Sequence, residues 1–146
     1  MLSKTAEYAL RVVVFLVGES SRMPTRAEIA TSTRVPLAYL TKVLRSLEHA
    51  GIVKPKRGPG GGFLLSRDKQ SLTVYDVIAA VAELPRIKAC PLGISTHKEL
   101  CPLHARLDAV AKLTEDAYRQ TLVLDLLPYR QNQRPGNGCS FPTAAP

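Results

Sequence analysis

From Ser3 to about Val17, the residues Ala6, Leu10, Val13, Val14 and Val17 recur at the spacing of one helical face. Ser3 is placed to cap that helix, and Glu7 falls in its first turn, where a carboxylate meets the positive end of the dipole. A shorter helix is predicted from Arg26 to Ser32, because Thr25 and Glu28 stand at capping-box spacing. After the polar turn Thr31-Ser32-Thr33-Arg34, Pro36 suits a first helical position and Gly51 a helix stop. Between them Leu37, Leu40, Leu44 and Leu47, widened by Val43, make a stripe for burial. Ala38, Tyr39, Thr41, Lys42 and Arg45 make the opposite face.

Ile52-Val53-Lys54 and Phe63-Leu64-Leu65-Ser66 read as two strands, joined by the run Pro55-Lys56-Arg57-Gly58-Pro59-Gly60-Gly61-Gly62. No Gly-Lys-Ser/Thr follows that run and no helix opens after it, which sets aside a nucleotide-binding loop. Thr73 and Asp76 again have cap spacing, and Val74, Val77, Ile78 and Val81 give a helical stripe up to Pro85, expected to pack behind the hairpin. Arg86 to Leu100 lacks sustained periodicity, contains Pro91 and Gly93, and reads as a loop. Pro102 opens a long helix whose residues Leu103, Leu107, Val110, Thr114, Ala117, Thr121 and Leu124 alternate steps of four and three, a seam suited to a partner helix. Thr121 marks a break into a short final helix before Pro128, and Tyr129 to Pro146 has the composition of a disordered tail. The chain carries no internal repeat.

Two helices joined by a tight turn, followed by a basic glycine-rich hairpin, read as a winged helix-turn-helix. The predicted fold is mainly α with a small β-hairpin wing, plus a long dimerisation helix. Taken singly, the polar helix face is a solvated surface and the hairpin a flexible turn. Together, with Lys54, Lys56 and Arg57 beside the exposed helix face, they have the footprint of a DNA binder. Charge sharpens this reading: of a net +8, residues 1–70 hold 12 Lys/Arg against 5 Asp/Glu, and residues 71–146 hold 8 against 7. A polyanionic partner is therefore expected at the N-terminal half. Nucleic acid is preferred to membrane, since no apolar run reaches spanning length and the N-terminus lacks the pattern of a signal peptide; the expected location is cytoplasmic. No nucleophile elbow, Ser/His/Asp arrangement or paired acid/base motif points to an enzyme. A rival class is a protein-interaction module that docks a protein partner.

Three cysteines, an odd number, argue against a secreted disulfide framework and toward thiol or metal chemistry. Cys90 and Cys101 bracket the loop, and His104 lies one turn after Cys101, on the same side of the helix. Thiolate and imidazole together suit an iron-sulfur cluster, although the spacing alone does not identify the metal. Lys88 and Lys98 lie close in sequence to the thiols, so a cluster-free thiol switch stays open. Cys139, in the tail, has no partner at metal-ligand spacing.

The runs Val35-Pro36-Leu37-Ala38-Tyr39-Leu40 and Arg57-Gly58-Pro59-Gly60-Gly61-Gly62-Phe63-Leu64-Leu65 resemble the Rrf-two family of bacterial regulators, over about Leu2 to Leu127. The resemblance implies a homodimer on double-stranded DNA, joined through the long helix and expected to act as a repressor. In such proteins the second helix of the motif enters the major groove and the wing reaches the minor groove. The implied contacts here are Ala38, Tyr39, Thr41, Lys42, Arg45, Lys56, Arg57, Gly58, Gly60, Gly61 and Gly62. The resemblance also implies an iron-sulfur cluster, [2Fe-2S] in preference to [4Fe-4S], on Cys90, Cys101 and His104, sensing iron-sulfur, redox or nitric oxide status. The family's middle cysteine is absent, and His97, or Glu7 from a second subunit, is the candidate to replace it. The expected organisation is a DNA-binding domain over 1–84, a sensor loop over 85–101, a dimerisation helix over 102–127 and a tail over 128–146.

Overall fold

The computed structural model describes residues 2–19, 22–87 and 101–127. Its centre is α1 (Lys4–Gly18), capped by Ser3, whose hydroxyl accepts the Ala6 N–H at 3.2 Å. The burial is broader than one stripe: Ala9, Val12 and Leu16 are enclosed along with Ala6, Val13, Val14 and Val17, whereas Leu10 is only half-buried. The reason is that α1 is packed by other elements on several sides, which a single apolar face does not reveal.

The motif follows as α2 (Arg26–Thr33) and α3 (Leu37–His49). The Thr25–Glu28 capping box forms on both sides, with the Thr25 N–H donating to the Glu28 carboxylate at 2.7 Å. Those hydrogen bonds from Thr25, then that from Arg22, hold Glu28 below the usual carboxylate range. The helix runs one residue past Ser32, because the Thr33 hydroxyl is buried and donates to the Ile29 carbonyl at 2.7 Å. Arg34 then turns the chain with φ of 55°, an uncommon conformation for a side chain with a Cβ. Pro36 is the N-cap of α3 rather than its first residue. Leu40, Val43, Leu44 and Leu47 are buried as expected, but Leu37 is 54% exposed, since it starts the helix beyond the reach of α1 and α2. The helix ends in a Schellman motif, Ile52 N–H to Leu47 carbonyl and Gly51 N–H to Glu48 carbonyl, both 2.9 Å, with Gly51 at φ of 68°.

The wing is an antiparallel pair, β1 (Val53–Lys56) with β2 (Gly62–Leu65), in the register Val53 with Leu65 and Lys56 with Gly62. Pro55 and Lys56, expected in the loop, continue β1, which tolerates the proline because each strand of a two-stranded sheet has a free edge. Gly62 also differs from expectation. It is buried, and a Cβ there would lie 2.4 Å from the Met23 carbonyl oxygen. It is the point where the wing seats on the chain before α2, an attachment completed by the Phe63 N–H on the Pro24 carbonyl at 3.0 Å.

The short α4 (Val74–Ala79) keeps its Thr73–Asp76 box but stops well before Pro85, because the Val81 and Ala82 N–H groups both turn back on the Ile78 carbonyl. It packs on α1 and on α5 (Pro102–Gln120), not behind the wing, which rests on α1 and α3. Beyond the extended Thr121, the chain pairs with residues 72–74 and closes in a 3-10 turn, Val123–Leu126. Val123 is fully buried in the main core and Leu124 packs against it, so Leu124 belongs to this core and not to the α5 seam. Among the described residues no helix is long and apolar enough to cross a membrane.

Candidate nucleic-acid interface

The buried stripe of α3 turns Ala38, Tyr39, Thr41, Lys42 and Arg45 outward, and all five are exposed. Tyr39 is steadied from α1: its ring meets the Tyr8 ring edge-on at 5.8 Å, and the Arg11 guanidinium lies 5.8 Å from the Tyr8 ring. Lys56, Arg57, Gly58 and Gly60 are exposed on the wing, while Gly61 is half-buried and donates to the Gly58 carbonyl at 2.9 Å. Gly62 lies beneath them, so its backbone supports the wing and does not face solvent.

These cations differ in pairing from five others of the described residues. Lys4, Arg22, Arg67, Arg86 and Arg119 each meet a carboxylate. Lys42, Arg45, Lys56 and Arg57 form no ion pair with a described residue. Unneutralised charge on the outer face of α3 and on the wing sustains a positive field for a polyanion. Arg26 and Arg34, which the sequence pattern marks only as the start of a helix and part of a polar turn, are exposed and add to it.

Cys101 is the N-cap of α5 and Pro102 its first residue. The Cys101 Sγ lies 3.0 Å from Nδ1 of His104, which is buried. Thus the expected pair does come together, as two donors of the type that hold an iron-sulfur cluster. Among the described residues no three His, Cys, Asp or Glu side chains converge. Glu7 is not brought to this pair within the subunit; it bonds Lys4 at 2.9 Å in the first turn of α1. Cys90, His97 and Cys139 lie outside the described residues, as do most of the expected sensor loop and the tail.

On α5, Leu103, Leu107, Val110 and Leu113 are the exposed large apolar residues, from 49% exposed at Leu107 to 69% at Leu113. Leu113, outside the predicted seam, is exposed, and Tyr118 packs inward on the cluster of Ala6, Val74 and Ile78.

Residues 2–129 match the Rrf2 family, described as "Iron-dependent Transcriptional regulator". The transcriptional regulator IscR of Escherichia coli is 37% identical over 84 residues, covering 56% of this chain and 51% of that protein. The structure of IscR from T. potens superposes with a TM-score of 0.74 at 21% identity, over 87% of this chain and 85% of that one. CymR, the global cysteine regulator of B. subtilis, gives the same TM-score of 0.74 at 20% identity, over 90% and 98%. Both structural likenesses bear out the winged-helix fold.

Proposed function

The chain belongs to the Rrf2 family of transcriptional regulators, and on that premise we propose that it is a homodimeric, sequence-selective DNA-binding repressor acting in the cytoplasm. The observation that carries this is the exposure of both the α3 face and the wing, with Lys42, Arg45, Lys56 and Arg57 unneutralised by described carboxylates. In this reading Ala38, Tyr39, Lys42 and Arg45, with Thr41 among them, meet the major groove. Lys56, Arg57 and the backbone of Gly58, Gly60 and Gly61 meet the minor groove and its phosphates. The exposed Leu103, Leu107, Val110 and Leu113 of α5 support joining two such heads side by side.

Members of this family can bind iron-sulfur clusters, and the thiolate-imidazole pair Cys101 and His104 fits two of the ligands of a [2Fe-2S] centre. Cys90 would be the third, with His97 or Glu7 of the partner subunit as the fourth. Bound there, a cluster would supply one-electron redox chemistry and reactivity toward nitric oxide. A change of state at Cys90 and Cys101 then shifts α5 and alters the spacing of the two reading heads. The close approach of Cys101 to His104 equally favours a second reading, a thiol switch at the same place without a cluster. The test is a gel shift on promoter fragments by protein purified without oxygen, then exposed to air or nitric oxide, beside Cys90→Ala. A shift that responds in the parent and not in the variant supports the reading; identical responses would sink the sensor assignment.

A further inference from the structure

Thr41 stands on the outward face of α3, yet its hydroxyl is already engaged. It donates to the Leu37 carbonyl one turn earlier at 3.1 Å and accepts from Nη1 of Arg26 at 3.3 Å. Its proton is committed to its own helix, so the group that offers donors from this spot is the Arg26 guanidinium. Arg26 opens α2, is exposed, and forms no ion pair with a described residue. The carboxylate nearest in sequence, Glu28, is taken by Thr25 and by Arg22 at 2.8 Å. A guanidinium carries five N–H donors in a rigid fork, and the bond to Thr41 uses one. The remainder stays available at the junction of the two helices.

That junction has a defined place on a duplex. In a helix-turn-helix the first helix crosses the sugar-phosphate backbone while the second lies in the major groove. A cation bonded across the two sits at the groove's edge, where phosphates line the wall. We propose that Arg26 is a phosphate contact of this protein and that Thr41 positions it, instead of reading a base through its hydroxyl. This rests on the DNA-binding reading above and adds a contact outside the α3 face and the wing.

A phosphate contact contributes alike to every sequence, and its loss lowers the salt dependence of binding by about 0.9 in log-log slope. The experiment is fluorescence anisotropy of the full chain on a selected operator duplex and a random duplex across a salt series, with Arg26→Ala, Arg26→Lys, Thr41→Val and the double variant R26A/T41V. Arg26→Ala removes one contact from each subunit of the dimer, so it is expected to weaken both duplexes by the same factor, at least about tenfold, and to flatten the slope by about 1.8, that is about 0.9 for each subunit. Arg26→Lys keeps the charge and should restore the slope. Thr41→Val should weaken binding in the parent and change nothing further in the Arg26→Ala background. An unchanged slope in Arg26→Ala, or a loss confined to one base pair of the operator, overturns the phosphate contact. Additive effects overturn the positioning role of Thr41. Absence of salt-dependent binding by the parent protein refutes the underlying DNA-binding reading itself, an outcome distinct from these.

Discussion

Arg86 grips Asp108 of α5 through two parallel hydrogen bonds of 2.7 Å each, and the same carboxylate accepts the Ile87 backbone N–H at 3.0 Å. The chain is thereby fastened to α5 immediately before residue 88, one helical turn from His104. A second arginine extends the attachment to the head: Arg119 bonds Glu115 at 2.7 Å and lies 3.3 Å over the Tyr75 ring of α4. Glu115 also stands 3.8 Å from Arg86. These contacts join residues 86 and 87, α5 and α4 in one chain of polar and cation–π contacts.

The Arg86 bonds, followed by that from Ile87, hold the Asp108 carboxyl down to about 2. Because the folded value lies below that of an unfolded aspartate, this contribution to stability is complete above about pH 4. It is lost as pH falls toward 2. Thermal melts of the parent protein and Asp108→Asn across acid pH should show the parent losing part of its advantage over the variant in that window. A constant difference between the two would contradict the assignment.

The apolar row on α5 predicts a change of assembly. Leu107→Lys and Val110→Lys are expected to convert a dimer to a monomer, read by sedimentation, and to lower operator affinity at least tenfold by removing the second head. Neither residue contributes to the described core, so the monomer should keep its helical circular dichroism. A dimer that persists in both variants would place the subunit contact elsewhere.

Visible absorption with iron and acid-labile sulfide counts, on protein purified without oxygen, tests the sensor. The cluster reading predicts charge-transfer bands and matched iron and sulfide, abolished by Cys101→Ala and strongly reduced by His104→Ala. A colourless protein that resists reconstitution would favour the thiol switch.

Two glycines separate conformational from steric demand. Gly51→Ala places a Cβ in open space at φ of 68°, so the loss should be about 1 kcal/mol, from backbone strain alone. Gly62→Ala forces a Cβ to within 2.4 Å of one carbonyl oxygen and 2.5 Å of the next. It should lose about 1–3 kcal/mol and displace the wing. Urea melts of the two variants, with equal losses, would contradict the tight seating of the wing at Gly62.

What could be read in advance was local. Both capping boxes, Pro102 at the start of α5 and Gly51 at the end of α3 depend on residues within one or two turns of each other, and they formed where the residue types placed them. The misplacements needed knowledge of what packs against what. A periodic stripe does not say that Leu37 emerges at the uncovered end of α3, or that Leu124 follows Val123 into the head. Nor does it show the early stop of α4, where Val81 and Ala82 turn back on the Ile78 carbonyl. At the interface, exposure of Tyr39, Lys42 and Arg45 was legible as the complement of the stripe. The link from Arg26 to Thr41 spans 15 residues and required the docking of α2 on α3. Of the sensor set, Cys101 and His104 could be paired from helical spacing, whereas Cys90 and His97 lie outside the described residues.

The most direct test of the whole account is equilibrium binding of the full chain to a duplex enriched from a random-sequence pool, followed by anisotropy across a salt series. Enrichment of an inverted repeat is expected, bound at least about 1,000-fold more tightly than random duplex. Its affinity is expected to fall steeply with salt, by about 0.9 in log-log slope for each phosphate neutralised. Failure to enrich any sequence, or binding that salt leaves unchanged, would contradict a sequence-selective DNA-binding regulator.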